Sequence, residues 1–188
     1  MSPLSLDFLR ETRLAVLLWI NGPFGVGKTT TAGRVRERDR RWRIFDPEWV
    51  GYMLRANLEG IEIDDFQDLV AWRALVPAVA DEITTLTRQD LIVVQTVLIE
   101  AHWKDLQSGL RDRNLTCVHV VLDADERTLE TRIRGDGADR TAESWRLDQL
   151  NAFREARPWM VASADLVIDT SNCSADEAAR QIVEVCRR

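Results

Sequence analysis

The stretch Leu14 to Thr31, LAVLLWINGPFGVGKTTT, constrains the fold more than any other part of the chain. Leu14 to Ile20 is apolar at all seven positions, the pattern of a parallel strand covered on both faces. Gly22, Gly27, Lys28 and Thr29 then keep the spacing G-x-x-x-x-G-K-[ST], which turns successive backbone N–H groups into one concavity. A Cβ would obstruct that concavity, and Gly22, Gly25 and Gly27 leave it open. A helix expected over Thr30 to Arg38 adds the positive end of its dipole. Such a cradle holds a polyphosphate. Contacts to bound ATP are therefore expected from Gly22, Pro23, Phe24, Gly25, Val26, Gly27, Lys28, Thr29 and Thr30. Lys28 would act as a point charge on the β and γ phosphates, and the Thr29 hydroxyl would ligate the accompanying Mg²⁺.

Bulk properties narrow the setting. At 188 residues, 45% of them apolar, the chain suits one domain, 1–188, with one substantial core. Its 31 acidic and 25 basic residues give a formal charge of −6, with no long run of one sign, so a nucleic-acid partner is not expected. Cys117, Cys173 and Cys186 form no C-x-x-C pair, which argues against a disulfide framework or a zinc site and fits a reducing cytoplasm. The longest apolar run is too short to span a bilayer. Membrane contact, if any, is expected to be peripheral, and the chain a monomer or homodimer.

The remaining pattern alternates strands and helices. Met1 to Thr12 reads as a lead-in. Trp42 to Phe45 is a short strand ending at Asp46-Pro47; Pro47 suits a first helical position, so Glu48 to Asn57 is expected as a helix capped by Asp46. Asp64 with Gln67 resembles a capping box for a helix to about Leu75, which Pro77 breaks or restarts. Further strands are expected at Leu91 to Leu98, Thr116 to Leu122 and Leu166 to Ile168, with helices at Lys104 to Arg113, Glu126 to about Arg134 and Ala142 to Ala156, the last stopping before Pro158. Asp123 with Glu126 and Ser174 with Glu177 read as cap pairs, the second opening a final helix, Ala175 to Cys186. Together these predict an α/β chain of three layers, the P-loop NTPase fold of the nucleotide-kinase type, with a five-stranded parallel sheet and helices on both faces.

A phosphate loop alone implies a bound nucleoside triphosphate; what faces it decides the chemistry. Ligands of open α/β sheets sit beyond the carboxyl ends of the strands, which brings Asp46 beside the loop. There its carboxylate can take a proton from an acceptor hydroxyl or join the Mg²⁺ shell, or simply cap its helix, and the two roles are compatible. Glu48 is the weaker candidate beside it, with favouring the helix dipole as its alternative role. The glycine-bearing segment RIRGDGADR, Arg132 to Arg140, opens a candidate mobile lid over 132–145. Arg132, Arg134 and Arg140 would then meet charge on the transferred phosphoryl group; the alternative is a solvated loop. Between residues 46 and 88, Trp49, Tyr52, Arg55, Asp65, Phe66, Gln67, Trp72 and Arg73 offer aromatic faces and hydrogen-bonding groups for a planar organic acceptor, or core packing. Gln95 and Thr96 end the third strand where related hydrolases often carry a metal-binding aspartate. No aspartate follows, which favours a kinase-like site over a motor or switch ATPase.

The segments WINGPFGVGKT (Trp19 to Thr29), FDPE (Phe45 to Glu48), Asp64-Asp65-Phe66-Gln67 and Trp72-Arg73 resemble the tunicamycin-resistance proteins, ATP-binding members of the small-molecule and nucleotide kinase group. The likeness covers nearly the whole chain, and the later segments carry it, since the loop is shared widely. Arg132-Ile133-Arg134 and ADLVIDT (Ala164 to Thr170) look like the lid entrance and last strand of nucleoside-monophosphate and antibiotic kinases. The resemblance implies ATP binding and resistance to a uridine-containing antibiotic. Three readings stay open: phosphorylation of that nucleoside-like antibiotic with Lys28, Asp46 and Arg132 as the catalytic set and Glu48, Trp49, Arg55, Phe66, Gln67, Trp72, Arg73 and Gln95 around the acceptor; ATP-dependent sequestration of the drug; and phosphorylation of an ordinary metabolite.

Overall fold

The computed structural model describes residues 15–136 and 140–187. Five parallel strands, β1 (Val16–Asn21), β2 (Trp42–Phe45), β3 (Asp90–Val94), β4 (Thr116–Asp123) and β5 (Leu166–Asp169), lie in the order β2-β3-β1-β4-β5. The helices are α1 (Lys28–Arg38), α2 (Glu48–Asn57), α3 (Val70–Thr87), α4 (Glu100–Arg111), α5 (Glu126–Gly135), α6 (Arg140–Ser163) and α7 (Ala175–Val185). Period-two alternation along β1 builds both faces of the sheet. Leu18 and Ile20 join Val35 of α1, Ile133 of α5 and Ile182 of α7 in one apolar cluster. Leu17 and Trp19 join Trp72 and Val76 of α3 and Trp103 and Leu106 of α4 in the other. Central β1 is therefore buried from Leu17 onward, and its exit, where the phosphate loop begins, is fixed from both sides.

The alternation of strands and helices and the sheet on which they pack agree with the sequence reading, whereas several boundaries do not. Leu14, Met1 to Thr12 and Gly137 lie outside the described residues. Pro77 does not break its helix: α3 runs through it. The ring packs against Gly109 of α4, where an added Cβ would sit 2.9 Å from Pro77 Cγ, so tertiary packing overrides the local preference for a break. Pro158 likewise lies inside α6. Its neighbours are anchored on both sides, Arg157 to Asp123 at 2.7 Å and the Trp159 indole to the Leu98 carbonyl at 3.3 Å.

Two caps also shift. Asp125, not Asp123, accepts the Thr128 amide and opens α5; Asp123 is the partner of Arg157. Asp65 rather than Asp64 accepts the Gln67 amide, and it opens a 3₁₀ turn, Phe66–Asp68, before α3 begins. Ser174 caps α7 as expected, accepting the Glu177 amide at 3.2 Å. β3 ends at Val94, four residues before the expected Leu98, because the chain turns toward the phosphate loop: Gln95 still donates its amide to Ile20, but Thr96 and Val97 bond to Gly22 and Asn21. Among the described residues no helix is long and apolar enough to cross a membrane.

Candidate active site

Gly22 has φ +137°, and a Cβ there would stand 2.3 Å from the Leu122 carbonyl oxygen, so the loop closes against β4 only with glycine at this position. Gly27 has φ +95° and caps α1 without a side chain. The first-turn amides of α1 thus carry no side-chain cap, the arrangement that receives an anion at a helix N-terminus. Thr29 and Thr30 are exposed on that turn and line a cleft of about 1070 Å³. Lys28 Nζ donates to the Gly22 and Pro23 carbonyls at 2.9 and 2.8 Å and lies 5.4 Å from the Phe24 ring centroid. These residues fit a polyphosphate. Among the described residues no group of three His, Cys, Asp or Glu side chains converges as a metal site, so an accompanying cation would rest on the Thr29 hydroxyl and on phosphate oxygens.

Burial lowers the Lys28 pKa from 10.5 to about 7, and a phosphate anion beside the ammonium would raise it again. The sign follows. The contribution of Lys28 to nucleotide affinity is complete below pH 7 and is lost as pH climbs from there through the bound-state value. Calorimetric titration should show the dissociation constant for ATP rising by up to about tenfold per unit between about pH 7.5 and 9, and flat in Lys28→Ala. Constant wild-type affinity over that range would contradict the coupling. The free protein should gain stability as pH rises from about 7 to 10.5, because the unfolded chain then binds more protons.

Asn21 and His119, which sequence reasoning did not single out, and Thr96, which it placed only at the end of the third strand, hold the loop. Asn21, buried at the end of β1, accepts the Gly22 and Val97 amides at 2.9 and 3.0 Å and donates to the Val97 carbonyl at 3.3 Å. Its amide also meets His119 Nε2 at 3.4 Å. Burial pushes His119 down to about 4, and the neutral ring packs on Trp103 with centroids 4.2 Å apart. Thr96 Oγ1 donates to the Gly22 carbonyl at 2.8 Å. The only sequence signal was a polar side chain at the end of a wholly apolar strand, which must find buried partners.

From the loop the cleft runs toward the region where the sequence reading expected the acceptor, and there Glu48, Asp64, Asp65, Phe66, Gln67, Gln95 and His102 line it. Gln67 donates its side-chain amide to the Thr96 carbonyl at 3.0 Å. Glu48, on the first turn of α2, accepts from the Tyr52 hydroxyl at 3.2 Å. The structure corrects the weight given to Asp46: its exposed carboxylate accepts the Glu48 amide at 2.9 Å, as a cap does, and is not on the cleft wall. Trp72 is core, fully buried, with its indole donating to the Pro47 carbonyl at 3.0 Å. Arg73 turns to Asp105 at 2.9 Å and to the Gln67 carbonyl. Trp49, 70% exposed, stands off the cleft beside Tyr52. Arg55 stacks 4.4 Å over the Phe66 ring and donates to the Ile63 carbonyl.

On the lid side Arg132 lines the cleft, donating to the Thr170 hydroxyl at 3.0 Å and carbonyl at 2.7 Å. Arg134 is exposed between Glu130 and Glu143, off the wall. The side chain of Arg140 lies outside the described residues. Trp145, Arg146 and Gln149 of α6 also line the wall; Trp145 ends the expected lid segment, and the other two were not read from the sequence. Trp145 meets Phe24 edge-on at 5.0 Å, and Arg146 pairs with Asp136 at 2.5 Å. An aromatic-basic pair just beyond the glycine segment was the available signal.

A parallel sheet in the order β2-β3-β1-β4-β5, with a glycine loop leaving its central strand into a cleft, is the P-loop kinase type of α/β fold. The chain belongs to the AAA domain family, whose model matches residues 17–158. Among solved structures it is similar to the tunicamycin resistance protein of Deinococcus radiodurans, at 28% identity and TM-score 0.69 over 92% of this chain and 96% of that one. The resemblance drawn from the sequence therefore holds. The Mycobacterium tuberculosis APS kinase, solved with AMPPNP and APS, gives 18% identity and TM-score 0.59 over 94% and 100%. A shikimate kinase of Acinetobacter baumannii, solved with shikimate, gives 18% and 0.57 over 97% of both chains. At those identities the two kinases show the fold alone. No curated protein matches the chain.

Proposed function

We propose that this protein is a phosphotransferase that moves the γ-phosphoryl group of Mg²⁺-ATP to a hydroxyl of a nucleoside-like antibiotic of the tunicamycin type. The observation that carries the reading is the continuity of one cleft, with Lys28 and Thr29 at one end and the Glu48 carboxylate at the other. Loop amides and Lys28 hold the β and γ phosphates. Mg²⁺, when bound through Thr29, supplies further neutralisation of phosphate charge. Glu48 takes the proton of the acceptor hydroxyl as its oxygen bonds to the γ phosphorus and the bond to the bridging oxygen of ADP breaks. Arg132, with Arg146 near it on the wall, faces the charge on the transferred oxygens, while Phe24 and Trp145 limit water above the loop. Asp46 holds the start of α2 and so the place of Glu48. The choice of drug class is supported by the Deinococcus radiodurans neighbour, itself named for tunicamycin resistance, and the ATP supply of the cytoplasm suits the reaction.

Mass spectrometry of tunicamycin incubated with the protein and Mg²⁺-ATP tests it directly. The expected product carries one added phosphate, with one ADP formed per drug modified. Unchanged drug, tightly bound while ATP remains unspent, would replace this reading with sequestration.

A further inference from the structure

The charge of the acceptor wall is one-sided. Three carboxylates, Glu48, Asp64 and Asp65, line that half of the cleft with Phe66, Gln67 and His102. Of the neighbouring cations, Arg73 pairs with Asp105 and Lys104 with Glu100 at 2.7 Å, while Arg55 is held by neutral groups, the Ile63 carbonyl and the Phe66 ring, so three carboxylates outnumber one guanidinium at the wall. Burial and then the nearby Arg73 lower the His102 pKa, against the weaker pull of Asp68, so His102 is neutral at physiological pH. Arg146, across the cleft, is held by Asp136.

Because these carboxylates do not converge on a metal point, they present separate hydrogen-bond acceptors along a wall. An anionic group brought there meets a majority of like charge, and among the described residues the forked donors beside the wall, Arg55 and Arg73, already hold partners. A hydroxyl-rich neutral molecule finds carboxylate acceptors, the Gln67 amide and an aromatic face.

We propose that the acceptor site selects by charge, taking an uncharged, hydroxyl-bearing acceptor and rejecting acceptors that carry a phosphate or carboxylate at the position of transfer. The inference rests on the reading of this cleft half as the acceptor site.

Three probes that share the adenosine polyphosphate anchor test it at low ionic strength: ATP, adenosine 5′-tetraphosphate, which extends a free terminal phosphate toward the acceptor wall, and diadenosine tetraphosphate, in which that fourth phosphate is esterified and so carries less charge, with a neutral nucleoside beyond it. In the wild type, adenosine tetraphosphate should bind more weakly than diadenosine tetraphosphate. In Asp64→Asn/Asp65→Asn, where Asn caps the 3₁₀ turn as well as Asp does, the ratio of the dissociation constants of adenosine tetraphosphate and ATP should fall by about fivefold or more. An unchanged ratio, with ATP bound normally by both proteins, overturns the charge rule and leaves the nucleotide site standing. Failure of the folded wild type to bind ATP overturns the reading of the cleft itself, and the charge rule with it.

Discussion

Glu48→Gln should slow phosphoryl transfer by about 10² to 10⁴-fold, the usual loss when a general base is removed. ATP affinity, set by the loop at the far end of the cleft, should stay within a few-fold. The substitution keeps the side chain's length and an oxygen to accept from Tyr52, and costs α2 only the dipole contribution of one first-turn carboxylate, about 0.3 to 1 kcal/mol. Asp46→Asn is the matched control. Asn accepts the Glu48 amide as Asp does, so transfer should remain within a few-fold of wild type. Single-turnover measurement of phosphorylated acceptor separates the two variants. A Glu48→Gln protein at full rate, or an Asp46→Asn protein as slow as predicted for Glu48→Gln, would exchange or remove these roles.

Trp72→Ala should destabilise the fold by about 3 to 5 kcal/mol, the range for removing a fully buried aromatic side chain. Trp72 packs with Leu17, Trp19 and Trp103 in the core on one face of the sheet, and its indole donates to the carbonyl of Pro47 at the entry of α2. Trp72→Phe separates the two contributions. It keeps most of the apolar contact but removes one of the hydrogen bonds that the Pro47 carbonyl accepts, the Val50 amide remaining, at about 0.5 to 1.5 kcal/mol. Urea denaturation measures both. A transition midpoint and slope unchanged in Trp72→Ala would mean that the wall behind Glu48 is not built on this tryptophan.

The parts legible in the sequence were those specified locally. The loop spacing fixed its own geometry, β1 announced its double coverage by having no polar residue between Leu14 and Ile20, and Ser174 capped the helix that its pattern predicted. What was not legible depended on partners distant in the chain. Pro77 reads as a breaker until Gly109 of another helix is seen to receive its ring. Trp72 and Arg73 look like ligand-binding groups in a polar stretch, yet Trp72 is claimed by a carbonyl 25 residues earlier and Arg73 by a carboxylate 32 residues later. The sequence put Asp46 ahead of Glu48, two residues on; the cleft is lined by Glu48 instead, an order set by the turn into α2 in which the Asp46 carboxylate takes the Glu48 amide.

The Gly22 carbonyl bears on how easily Lys28 can change what it points at. It accepts from both Lys28 Nζ and Thr96 Oγ1. When the ammonium turns toward a phosphate, the half-buried threonine stays behind, so the Gly22 carbonyl keeps a donor while the Pro23 carbonyl gives up the bond it had from Lys28. The side chain can therefore swing while the backbone beneath it keeps its shape. A Thr96→Val protein, deprived of the bond that remains at Gly22, should transmit the departure of Lys28 into the loop itself.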